Sequence, residues 1–426
     1  MISKDEYKSR RDLLASKLSN DSVGVIFSAT NKVRSNDTDY PYRQDNNFYY
    51  LTGFREDNSV LVFIKTKDTV KSVMFVQKKD KLLELWTGKR LGVEKAKQRF
   101  KVDEVYESDS LKIKLKEFLL DKKSLYYDLK SDNEKVKKVI KYAKDLKNCK
   151  NISLLIQEMR LIKSKNEIKL IQKAVNITAK AHHYVMSSKK ANKKEYELQA
   201  DIEYIFKKNG AYSDSYTSIV AGGNNANTLH YIQNNKTLID NDLILIDAGC
   251  EFDYYASDIT RTIPVSGKFT SAQAEIYQLI LDIQLEVIAM IKPNVKRSKL
   301  QDTAVEMLTK GLVELGILKG SLKKLIKNQK YKKYYPHGIG HWLGLDVHDP
   351  APYLDKDKNE IPLSAGMVLT IEPGIYIDKN DKRVPEKYRG IGIRIEDDIL
   401  VTKNGNKNLS SKIAKTIKEI ESISKR

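Results

Sequence analysis

The 426-residue chain is 41% hydrophobic and 31% charged with 20 Gly and 9 Pro, which excludes a disordered, fibrous or low-complexity protein and, at roughly 150 residues per domain, points to two or three units. No apolar stretch approaches the roughly 18–20 residues of a membrane helix, and the charged opening MISKDEYKSRRDLL lacks the apolar core of a signal peptide, so the cytoplasm is the expected location and no membrane partner is expected. The net charge of +20 divides into +11 over residues 1–150 and +9 over the rest, so neither half is a basic module and nucleic acid is not an expected partner.

In chain order, helical spacing is predicted over 4–18, and SVGVIFSA, SVLVFIKT and SVMFVQK read as strands. Another helix is predicted over 133–148, which completes an α/β pattern. The text then changes near 151–163, and we divide the chain into 1–155 and 156–426. Long helices follow over 165–187 and 195–208. Beyond Gly210, strands such as LILIDAG, MVLTIEP and GIRIEDDILV alternate with helices over 271–291 and 298–315, an α+β pattern with antiparallel sheet. The basic run from Ser321 to Lys333 matches no nucleic-acid motif and reads as a solvated face. Cys149 and Cys250 are far apart and form no CxxC pair, so neither a disulfide framework nor a thiolate metal site is expected.

The chemistry concentrates in the second half. LILIDAG buries aliphatic residues and ends in Asp247, and Asp258 follows eleven residues later in SDITRTIPV. A carboxylate at the end of a buried strand must be paired, hydrogen-bonded or metal-bound, because burying it bare costs several kcal/mol. In PHGIGHWLGLDVHD, glycines at 338 and 340 disfavour the helix a zincin HExxH motif needs, and even spacing puts His337 and His341 on one side of an extended chain. The same parity pairs Arg394 with Glu396 and Thr370 with Glu372. Four carboxylates and one imidazole make an oxygen-rich set that suits manganese or a similar divalent ion, and two ions about 3.5–4 Å apart would offset the negative charge and activate a bridging water. His230 in NTLHY is a weaker candidate, and Trp86 in LELWTGKRLG reads by itself as a half-buried packing residue.

Taken together, DAG with Asp247, SDITRT with Asp258, HGIGH with His341, IEPG with Glu372 and RIEDD with Glu396 resemble the five metal-ligand motifs of the pita-bread metallopeptidases, and within them the Xaa-Pro aminopeptidase (aminopeptidase P) family. The resemblance covers nearly the whole chain. It implies an α/β N-terminal domain serving substrate access and oligomerisation, with RSNDTDYPYRQDNNFYYLTGF and ELWTGKRLG its clearest segments, and an α+β catalytic domain of pita-bread fold. It further implies that Asp247 holds one of two ions, that Asp258 and Glu396 bridge both, and that His341 and Glu372 complete the other, with manganese first and cobalt or zinc as alternatives. Glu372 would also handle the proton, and His230, His337, His348 and Arg394 match the family's catalytic and transition-state groups. Tyr216, Tyr353 and Tyr376 fall where the family builds its proline pocket. Trp86 matches a tryptophan that reaches the substrate from a neighbouring subunit, so a homodimer or homotetramer is expected. The implied activity is release of the first residue from peptides with proline second. The alternatives are a prolidase specific for Xaa-Pro dipeptides and a catalytically silent binding module, against which the intact ligand set argues.

Overall fold

The computed structural model describes residues 1–131, 134–142 and 148–424, and it divides at the end of the helix Ile152–Arg160 into units Met1–Arg160 and Leu161–Arg426. In the first unit, six strands form a mixed sheet in the order Glu104–Glu107, Val70–Val76, Val60–Lys65, Ser22–Phe27, Ser124–Tyr127 and Asn148–Asn151. Val60–Lys65 is antiparallel to both neighbours and the remaining pairs are parallel. Pleating sends Val23, Val25 and Phe27 to one face, where Leu115, Val136 and Val139 cover them. The other face is approached closely at Gly24, where a Cβ would stand 3.1 Å from Ile152 Cδ1 and 3.2 Å from Leu18 Cδ1. Arg10 and Arg11 are buried in the helix Lys4–Lys17 because their guanidinium groups donate to the carbonyls of Tyr50 (3.0 Å) and Leu51 (2.8 Å), near the C-terminal end of the helix Asn46–Thr52.

The helix predicted over 133–148 is helical over Glu134–Tyr142. Residues 133 and 143–147 lie outside the described residues, and Asn148 opens the sixth strand instead of ending a helix. Parallel pairing with Ser124–Tyr127 overrides the weak local preference of NCKN.

The second unit opens with the helix Lys165–Ser187, started by a capping box between Ser164 and Glu167, and continues with Glu195–Lys208; Ser271–Met290 and Arg297–Glu314 follow later. The strands are short and antiparallel: Ile219–Gly222, Leu243–Asp247 and Thr260–Pro264 form one sheet, Val368–Ile371, Asp397–Val401 and Asn406–Asn408 another, and Gly374–Tyr376 pairs with Gly392–Arg394. Backbone bonds from Glu396 N–H to Thr260 O (3.1 Å) and from Ile395 N–H to Pro373 O (3.3 Å) join them edge to edge. Ile244, Ile246, Ile263, Ile371, Ile393 and Ile395 pack with Ile280 and Leu308 of the helices in the main core. The alternate positions, Leu245, Asp247, Thr260, Thr262, Thr370, Arg394 and Glu396, therefore point away from the helices, and the register Leu245 to Thr262 and Asp247 to Thr260 stacks them.

Candidate metal centre

Six segments bring their carboxylates and imidazoles to one cavity of about 260 Å³, lined by Leu229, His230, Asp247, Asp258, His337, Gly338, Gly340, His341, His348, Glu372, Arg394 and Glu396. Asp247 ends the strand Leu243–Asp247, and Asp258 stands just before Thr260–Pro264. The intervening turn needs Gly249, since a Cβ there would fall 1.9 Å from the Ser257 carbonyl oxygen; this is the physical content of the DAG motif. Glu372 follows Val368–Ile371, and Glu396 bridges Gly392–Arg394 and Asp397–Val401. The loop carrying His337 and His341 lies against Thr370, whose amide donates to the His341 carbonyl at 2.9 Å, and Gly340 permits this because its Cβ would meet Thr370 O at 1.9 Å.

Arg394 is the buried cation among these acids. It donates from Nη2 to Asp247 Oδ2 (2.6 Å), from Nη1 to Tyr376 Oη (2.8 Å) and from Nε to Thr260 Oγ1 (3.1 Å), and Thr260 Oγ1 in turn donates to Glu396 Oε2 (2.7 Å). The Tyr216 hydroxyl stands 2.5 Å from Asp247 Oδ1 and 2.6 Å from Asp258 Oδ1, so one proton serves two carboxylates. Such crowding has the expected electrostatic signature. Burial pushes the Glu396 carboxyl well above its ordinary range, reinforced by Asp258, Glu372 and Asp247. Burial raises Glu372 to about 7 against the opposing charges of His341 and Arg394. Asp258 moves down, because the hydrogen bond and charge of His341 outweigh its burial.

The imidazoles differ from one another. His341 donates from Nδ1 to Trp342 O (3.0 Å), which turns Nε2 toward Asp258 Oδ2 (3.3 Å) and Glu372 Oε1 (3.7 Å). Burial would lower its pKa, and Asp258 and Glu372 more than offset that, to about 9. His337 donates from Nδ1 to Gly338 O (2.8 Å) and accepts at Nε2 from Tyr376 Oη (2.8 Å), so both nitrogens are engaged, and burial holds the ring neutral with a pKa of about 4. His230 and His348 are exposed at the rim, and the His348 ring stands edge-on to that of His341 with centroids 4.2 Å apart.

None of the three tyrosines expected in a proline pocket is among the residues lining the cavity. Tyr216 and Tyr376 turn their hydroxyls into the hydrogen-bond network just described, while Tyr353, 38% exposed, stacks on Trp342 at 5.3 Å beneath the guanidinium of Arg297. Trp86 belongs to the first unit, in the helix Lys81–Thr87, and is 81% exposed where local reading made it half-buried. Sequence reading missed the supports of the histidine loop. Gln301 Oε1 accepts from Ile339 N–H at 2.7 Å, and Arg297, one turn earlier, donates to Gly340 O. Both sit on a helix whose motif carries no visible signal of such a task.

The donor set fits divalent cations. Ligating atoms of Asp258, His341 and Glu396 lie within 4.8 Å of one another. A carbonyl fixes the His341 tautomer so that Nε2 is available, the usual support of a metal-ligating histidine. The remaining donors are hard carboxylate oxygens in excess over Arg394, the guanidinium that lines the cavity, and divalent charge would compensate them.

Residues 169–403 match the model of metallopeptidase family M24, and residues 7–126 match that of the aminopeptidase P N-terminal domain. The chain is 45% identical over 422 residues to an Xaa-Pro aminopeptidase of Haemophilus influenzae, covering 99% of this chain and 97% of that one. It is 40% identical over 435 residues to the Xaa-Pro aminopeptidase of Escherichia coli, covering 99% and 98%. It is 38% identical to human Xaa-Pro aminopeptidase 3, covering 99% and 86%. The fold is similar to that of E. coli aminopeptidase P with the inhibitor Pro-Leu, with a TM-score of 0.95 at 38% identity over 99% and 98% of the two chains. Proline aminopeptidase P II from Yersinia pestis gives 0.94 at 38% identity over 99% of each. The catalytic unit accordingly has the pita-bread fold.

Proposed function

Because the chain belongs to metallopeptidase family M24 and carries the N-terminal domain of aminopeptidase P, we propose that it is an Xaa-Pro aminopeptidase, a hydrolase that releases the first residue from peptides with proline in second position. The observation that carries this reading is the convergence of Asp247, Asp258, His341, Glu372 and Glu396 on one cavity beside Arg394. These five residues would hold two divalent ions, and the hardness of the donor set favours manganese. When bound, the ions compensate the carboxylate charge, polarise a carbonyl and lower the pKa of water.

The protein's own groups do the rest. Glu372, with 18% of its side chain exposed against 7% for Asp258 and 13% for Asp247, is the carboxylate most open to substrate, and it takes and returns the proton. His230 and His348 stand at the rim and donate to charge developing on the scissile carbonyl. His337 acts as a wall, since both its nitrogens are engaged, and Arg394 fixes it through Tyr376 while orienting Asp247. Tyr216 sets the angle of Asp247 and Asp258, and Tyr353 supports the loop at Trp342. Proline has no amide hydrogen, so a site that grips it must rely on ring walls and on the free amino terminus of the peptide.

The same reading places the enzyme in the cytoplasm as a homodimer or homotetramer, with Trp86 offered to a neighbouring subunit. Cys149 is exposed and Cys250 is buried, and no helix among the described residues is long and apolar enough to cross a membrane. The test is to strip the metal, add manganese, and compare an Xaa-Pro dipeptide with an Xaa-Pro-Yaa tripeptide. Faster release from the tripeptide is expected. Cleavage confined to the dipeptide identifies a prolidase, and no cleavage of either rejects the enzyme reading.

A further inference from the structure

The segment RLIKSKNEI carries a charge that this chemistry does not use. Lys163 has 1% of its side chain exposed, and its ammonium stands 3.3 Å from Oδ2 of Asp349, which is equally buried. Removing two charges from water costs several kcal/mol per ion, and such pairs are often no more stabilising than apolar residues of the same volume. Stability alone therefore does not account for the pair. Its position offers another reason. Asp349 directly follows His348 and closes the loop that starts at His341, its amide donating to Trp342 O at 2.9 Å. Its carboxylate stands against Gly344, where a Cβ would fall 2.0 Å from Oδ2. Lys163 is pinned in turn, its amide donating to Gly366 O at 2.9 Å. His348 is exposed and its ring stands against that of His341, directly before this buried carboxylate in the chain.

We propose that Lys163, through Asp349, is a positioning residue that holds the His348 imidazole where it meets the reacting carbonyl, an inference that rests on the role given to His348 above. Lys163→Met alone strands a buried carboxylate, so the test uses Lys163→Met/Asp349→Asn, which removes both charges, made with and without His348→Ala. All variants are loaded with manganese and assayed on an Xaa-Pro-Yaa tripeptide. The charge-free variant should keep its metal by elemental analysis and its KM within about twofold, while kcat falls roughly 10–100-fold, the usual cost of losing a supporting partner. In the His348→Ala background the same two substitutions should cost nothing more, which a purely structural role would not produce. Equal losses in both backgrounds, or a wild-type kcat in the charge-free variant, overturn the proposal and leave the role of His348 standing. A fully active His348→Ala enzyme overturns both.

Discussion

Arg394 and Asp247 stand 147 residues apart in the chain and 2.6 Å apart in space, the guanidinium Nη2 donating to Oδ2. The contact compensates one of four crowded carboxylates and, through Tyr376 and Thr260, ties that compensation to His337 and Glu396. A planar group with three acceptors in three directions is a frame as much as a charge.

Lysine at this position keeps the charge and loses the frame. Arg394→Lys should lower kcat/KM roughly 10–100-fold while metal content stays near that of the wild type. Steady-state kinetics with elemental analysis decides it. An unchanged kcat/KM would mean that only the charge matters.

Burial first, and then repulsion from Asp258, Glu372 and Asp247, push the Glu396 carboxyl up when no cation stands among these acids. Chelation should therefore lower the thermal midpoint, and added manganese should restore it in a concentration-dependent way. Glu396→Ala should lose metal together with activity. Full metal occupancy in that variant, measured by elemental analysis, would remove Glu396 from the ligand set.

How much of this was legible depended on whether a contact was local. Alternation in GIRIEDD placed Arg394 and Glu396 on one face with Ile393 and Ile395 on the other, and the structure has that arrangement because a strand period of two is fixed by the backbone. The glycines at 338 and 340 correctly argued against helix, although the reason at Gly340, the Thr370 carbonyl 1.9 Å from a would-be Cβ, comes from thirty residues away. Partners across the fold left no trace in the text. No base answered Asp247 locally, and neither the buried pairing of Lys163 with Asp349 nor the placing of the Tyr216 hydroxyl between two carboxylates can be read from spacing. Aromatic surroundings are no more legible: the exposure of Trp86 cannot be read from LELWTGKRLG, and nothing in spacing shows that the buried Tyr376 has its hydroxyl between Arg394 and His337.

His182 gives the fold an acid-sensitive point. It is buried behind the site, donates from Nε2 to Ala248 O at 3.1 Å, and burial pushes its pKa from 6.5 to about 3. Between those values the unfolded chain takes up a proton that the folded chain refuses, so stability is fully present above pH 6.5 and declines as pH falls toward 3. At 1.36 kcal/mol per unit the loss between pH 7 and pH 4.5 is about 2–3 kcal/mol from this residue. His182→Gln, which can keep the bond to Ala248, should show a smaller pH dependence by about that amount in denaturant unfolding of the metal-free protein. Identical pH dependence in the two proteins would show that His182 charges without disturbing the fold.

Trp86 is a large aromatic residue with little around it. The helix Lys81–Thr87 buries none of its residues, and Leu82, Leu85 and Trp86, spaced so that they share one helical face, are 70%, 79% and 81% exposed. A buried tryptophan removes roughly 150–250 Å² from water, about 4–6 kcal/mol at 25 cal/mol per Å² before the cost of association, so a second copy covering this face has a substantial driving force. Trp86→Ala should weaken self-association in sedimentation while the thermal midpoint of the dissociated chain stays unchanged, because the side chain supports nothing within its own unit. If the covering copy also brings the ring to the substrate of its neighbour, the same variant should lose more activity on tripeptides than on dipeptides, where little substrate extends beyond proline. A chain that sediments as a monomer at assay concentration and is fully active there leaves Trp86 no part in catalysis.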